Sequence, residues 1–101
     1  MEEKMAQTSP LFLDRAQRFP LQAPVHFRMG AMPSWLDGKS VNISRTGILV
    51  QSEETIPSSS VLEIRVDLPR DVTLECRGTV VRVEPSAFAV KIHNYRLVPH
   101  H

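Results

Sequence analysis

The sequence predicts an all-β domain: a small antiparallel barrel of six strands with little or no helix. Three observations carry this. Apolar and polar residues alternate in several separate runs, turn-forming clusters of Gly, Pro and Ser separate those runs at regular spacing, and no stretch shows helical periodicity. Closing the sheet on itself would also remove its exposed edges. At 101 residues the chain is long enough for one small domain and too short for two.

Residues 1–14 read as a flexible lead, polar from Met1 to Ser9 and then apolar at Leu11, Phe12 and Leu13. That apolar patch either folds back on the domain or docks on a partner. The barrel is expected over residues 15–97, with 98–101 as a tail. Its first strand is marked by Val25, Phe27 and Met29 alternating with His26 and Arg28. Gly30 to Ser34 reads as a turn, and Trp35 to Ile43 as a second extended segment with a bend or bulge at Asp37-Gly38. Gly47 to Gln51 is a short, densely apolar strand. Ser52 to Ser60, with Pro57 and three successive serines, is a loop by composition. Leu62, Ile64, Val66 and Leu68 then point one way while Glu63, Arg65 and Asp67 point the other. After the turn at Pro69-Arg70-Asp71, Val72, Leu74 and Cys76 alternate until Gly78. There the phase slips, and Val80-Val81 followed by Val83 predicts a bulge. Glu84-Pro85-Ser86 closes that strand, and Phe88, Val90 and Ile92 supply the last.

Composition excludes several function classes. Hydrophobic residues make up 42% and charged residues 23%, as in soluble globular domains, and the net charge is only +1. A general DNA, RNA or membrane-surface binder needs a basic excess, so any anion site must be local. No apolar run approaches the roughly 20 residues of a membrane span, so no direct membrane insertion is expected. The acidic start, Met1-Glu2-Glu3-Lys4, is unlike a secretory signal, and the single cysteine, Cys76, permits no internal disulfide. Both point to the cytoplasm, with Cys76 a buried structural thiol.

Catalysis is not expected. Ser44 has no base and orienting group arranged around it in the sequence, His26 and His93 sit in alternating strands, and no spacing suits a metal. No cofactor is implied. The positive signals lie elsewhere. Arg15 and Arg18 precede Pro20, and guanidinium groups pair bidentately with phosphate oxygens or the acceptor edge of guanine. Asn42-Ile43-Ser44-Arg45-Thr46-Gly47 then forms a polar turn between two apolar strands. Asn42 offers donor and acceptor groups to a base edge, Ser44 adds a hydroxyl, and Gly47 permits a positive φ and a close approach to the main chain.

This order of arginines, strand, strand, polar turn and short apolar strand resembles the PilZ domain, a bacterial receptor module for the second messenger cyclic di-GMP. The family pattern has Arg-x-x-x-Arg in an N-terminal loop and Asp/Asn-x-Ser-x-x-Gly on the barrel. Asn42, Ser44 and Gly47 match the second motif completely, and Arg18 to Val25 resembles the lead into the first strand. The first motif departs: Asp14 holds the position of the first arginine, and Arg15 gives Arg-x-x-Arg. Ala87 and Ala89 stand where the family's last strand often has glycine. The resemblance implies that Arg18, helped by Arg15, grips phosphate or a guanine edge. It implies that Asn42 and Ser44 read the base while Gly47 keeps the backbone close. A downstream protein in motility, exopolysaccharide or regulatory machinery would be the partner. The alternative it leaves is an adaptor that no longer binds the nucleotide and docks through Leu11, Phe12, Leu13 and Trp35, although Trp35 equally suits an ordinary barrel position.

Overall fold

The computed structural model describes residues 22–30 and 32–99. The expected lead, with Leu11 to Leu13, and both Arg15 and Arg18 lie outside the described residues. Six strands follow in chain order: β1 Pro24–Met29, β2 Leu36–Ile43, β3 Gly47–Gln51, β4 Val61–Leu68, β5 Val72–Glu84 and β6 Ala87–Pro99. All pair antiparallel and close into a barrel in the order β1-β2-β3-β6-β5-β4. No helix occurs among the described residues, so none there is long and apolar enough to cross a membrane.

Alternation dictates the interior. Val25 and Phe27 from β1, Leu62, Ile64 and Val66 from β4, Ile48 and Val50 from β3, and Phe88 and Val90 from β6 are each at most 2% exposed. These positions are spaced by two within their strands, so each strand gives one face to the core and the other to solvent. Ile56 from the serine-rich loop completes one end of the core. That loop also extends the ladder on β5 beyond the end of β4: Ser59 N–H donates to the Val80 carbonyl at 2.8 Å, and Val80 N–H to the Ser60 carbonyl at 2.9 Å.

Three irregularities break the alternation. The bend expected at Asp37-Gly38 is absent; Gly38 pairs regularly with Val25, and the register slips instead between Ser40 and Asn42, making Val41 the extra residue. Buried Ser40 is the physical reason. Its hydroxyl accepts the Ala23 N–H at 2.9 Å and its own N–H donates to the Ala23 carbonyl at 2.9 Å, which pins Ser40 inward. The bulge expected near Gly78 is present, in two steps, at Arg77/Gly78 and Val80/Arg82. The first step skips His93 on β6 and flips the phase there. Tyr95 and Leu97 consequently face the same way as Cys76 and Leu74, and pairing continues through Val98 and Pro99.

Cys76 lies buried in β5, and burial pushes its thiol from 9.0 up to about 12. The folded thiol is thus a weaker acid than the unfolded one. Its contribution to stability is complete below pH 9 and drains away as pH rises from 9 to 12. By pH 10.5 the loss is about 2 kcal/mol from this group. Urea denaturation at pH 8 and 10.5 should show a steeper alkaline fall in the wild type than in Cys76→Ala. Equal slopes in the two proteins would overturn the assignment.

Candidate functional site

The hairpin between β2 and β3 carries the polar turn. Ser44 N–H donates to the Gly47 carbonyl at 2.8 Å, closing the turn. The Ser44 hydroxyl accepts the backbone N–H of Thr46 at 3.3 Å and of Gly47 at 3.2 Å. Ser44 is only 1% exposed. Its hydroxyl therefore substitutes for a backbone carbonyl inside the turn, and the residue shapes the loop rather than offering a side chain at the surface. Gly47 has no positive φ; among the described glycines only Gly30 has one, at +47°. What favours glycine at 47 is crowding, since a Cβ would lie 3.1 Å from the Val90 carbonyl on β6.

The two bulges decide what faces outward beside this turn. In a regular strand Asn42 would follow Ser40 to the inside, and Arg82 would follow Val80. The extra residues Val41 and Val81 reverse both. Asn42 pairs with Leu49, Leu49 with Ala89, and Ala89 with Arg82. These four residues form one outward row across β2, β3, β6 and β5, about 14 Å from end to end at the usual strand spacing. Gly47 pairs with Lys91 in the adjacent row. Together they line a groove of about 590 Å³, with Val81 at its flank, 56% exposed.

Of the residues singled out in the sequence, the fold brings Asn42 and Gly47 to one groove and places Ser44 beneath the turn. The groove is also lined by Arg82 and Lys91, which the sequence reading did not single out. The signal for Arg82 was present in the phase slip after Gly78, because a bulge there re-aims every side chain that follows it.

A second concavity, of about 510 Å³, lies on another face around Trp35. The guanidinium groups of Arg28 and Arg65 each stack 4.5 Å from the Trp35 ring centre. Glu63 pairs with Arg28 at 2.9 Å and Arg77 at 3.6 Å, and Glu75 with Arg96 at 2.8 Å and Arg65 at 3.9 Å. Charges alternate from strand to strand, so each arginine already has a carboxylate and the indole is covered by two cations. This surface is a self-satisfied lattice, and Trp35 belongs to it as a half-buried barrel residue.

Catalytic geometry is equally thin. His93 Nε2 and Thr79 Oγ1 stand 2.7 Å apart, but they are exposed, and no orienting carboxylate accompanies the imidazole among the described residues. His26 bridges Asp37 at 2.9 Å and Asp67 at 3.4 Å, tying β1 to both neighbouring strands. No cluster of three metal-ligating side chains occurs among the described residues.

A family model described as the PilZ domain matches residues 13–99, nearly the whole chain and both stretches that carry the motifs. No curated protein matches the chain significantly.

Proposed function

The chain belongs to the PilZ domain family, and from that membership we propose that it is a cyclic di-GMP receptor that signals to a protein partner. The family is one of ligand-binding and adaptor modules for this second messenger. The observation that supports the reading best is the turn itself: Asn42 and Gly47 border one groove, and Ser44 holds the loop between them in shape.

In this reading Asn42 meets a guanine edge from the end of the outward row. Leu49 and Ala89 form a flat apolar floor for the base. The contribution of Ser44 is indirect, through the turn, and Gly47 lets β3 lie close against β6. Arg15 and Arg18 close over the ligand and clasp its phosphates, and the ordering of residues 10–20 against the barrel is the output that a partner detects. Asp14 beside the phosphates opposes this, and the affinity measures how far the two arginines overcome it.

Calorimetric titration of cyclic di-GMP into the whole chain tests the proposal. Micromolar or tighter binding, weakened by added salt, is expected in the wild type, and Arg18→Ala should abolish it. Undiminished affinity in Arg18→Ala would refute the role of the arginine loop. No heat from the wild type would refute the receptor reading and favour an adaptor that has lost the nucleotide.

A further inference from the structure

We propose that Lys91 and Arg82 form a second cation pair, carried by the barrel itself, that holds phosphate charge of the ligand over Ala89. This rests on the receptor reading and adds two binding residues outside both sequence motifs.

The placement follows from the register. Arg82 pairs with Ala89, and Lys91 lies two residues further along β6, so the two cations are diagonal neighbours. Such neighbours are about 7–8 Å apart at the backbone, close enough for both to reach phosphate oxygens of one ligand. Lys91 is there by simple strand alternation, and Arg82 is not. Arg82 faces out only because of the Val81 bulge. Lys91 stands opposite Gly47, where no side chain from β3 shields its ammonium.

Charge points the same way. None of the ten residues that line the groove is a carboxylate, although acidic and basic residues nearly balance over the chain. Glu84 holds Arg82 from outside the groove, through Nε at 2.8 Å. The ammonium of Lys91 has no partner among the described residues. Around Trp35, by contrast, the carboxylates that pair with the arginines, Glu63 and Glu75, line the concavity itself. Two cations in a groove whose own lining holds no carboxylate, beside an apolar floor and an amide that can read a base edge, suit a ligand that is both flat and anionic.

Both cations stand on strands of the closed barrel. Side chains anchored on a closed sheet lose little backbone freedom on binding.

The test is titration of cyclic di-GMP into the whole chain carrying Lys91→Gln, Arg82→Gln or both. Arg70→Gln, in the turn between β4 and β5, is the control. Each groove variant should lose at least about tenfold in affinity, the scale of one charge-assisted hydrogen bond. The double variant should lose more and respond less to salt, with the control unchanged. Both side chains are exposed, and matching melting curves would exclude a folding defect. Wild-type binding with the double variant within threefold of it would overturn this proposal and leave the receptor reading standing. Absence of wild-type binding would remove both.

Discussion

Phe27→Ala is expected to cost the domain about 4 kcal/mol of stability, within the usual range for losing a buried phenyl ring. Phe27 is fully buried on β1, where it pairs with Leu36 on β2 and Ile64 on β4. Its ring meets Phe88 edge to face, with centroids 5.1 Å apart and planes at 72°. β1 and β6 sit three places apart in the closed ring of six strands, so this contact crosses the interior rather than running along the wall. Truncation would empty the middle of the barrel. The wall cannot collapse inward to fill the space, because each strand is hydrogen-bonded on both sides. A loss of this size compares with a total of roughly 5–15 kcal/mol for a domain of this length. With a urea slope near ~1.3 kcal/mol/M, the midpoint should fall by about 3 M. Phe27→Leu keeps most of the volume and should lose only about 1 kcal/mol. A loss below about 2 kcal/mol for the alanine variant would show that the barrel does not pack around this pair.

The interior was legible because its signal is periodic. Val25 and Phe27, or Leu62, Ile64 and Val66, announce a buried face by spacing alone. The strand Gly47–Gln51 was bounded correctly for a related reason: a glycine opens it and a polar loop follows. What escaped was set by contacts distant in sequence. The bulge at Val41 exists because Ser40 is pinned by Ala23, seventeen residues earlier, and nothing near Asp37-Gly38 reveals that. The last strand looked finished at Ile92 because the skipped His93 inverts the pattern, turning Tyr95 and Leu97 to the face that Ile92 had occupied. The site divides in the same way. Asn42 and Gly47 could be read as a motif, whereas the inward hydroxyl of Ser44 depends on how the turn closes, and Lys91 reaches the groove only through its pairing with Gly47. A motif identifies residues that are close in sequence, and a closed sheet assembles its surface from residues that are not.

Gly78→Ala should be damaging out of proportion to one methyl group, and it should also disturb the groove. Ordinarily the change from glycine to alanine within a strand is favourable by roughly 0.5–1 kcal/mol, because the unfolded chain loses freedom. At position 78 sterics override that gain. An added Cβ would lie 2.5 Å from the Lys91 carbonyl oxygen and 2.5 Å from Cγ1 of Val90. One obstacle is backbone within a hydrogen-bonded ladder, and the other is a core side chain only 2% exposed. Neither can swing aside, so β5 and β6 must separate at the bulge. Overpacking of this kind costs about 3 kcal/mol, the upper end of its usual range. Separation would move the backbone of Lys91, the residue proposed to hold phosphate, although position 78 itself is buried and does not line the groove. The folded fraction of Gly78→Ala should therefore bind cyclic di-GMP more weakly than the wild type, with the larger part of the loss abolished in a Lys91→Gln background. Denaturation and titration of the four proteins in that cycle measure both effects. Stability within about 1 kcal/mol of wild type would show that the bulge yields readily. Full affinity despite lost stability would instead separate the Gly78 packing from the position of Lys91.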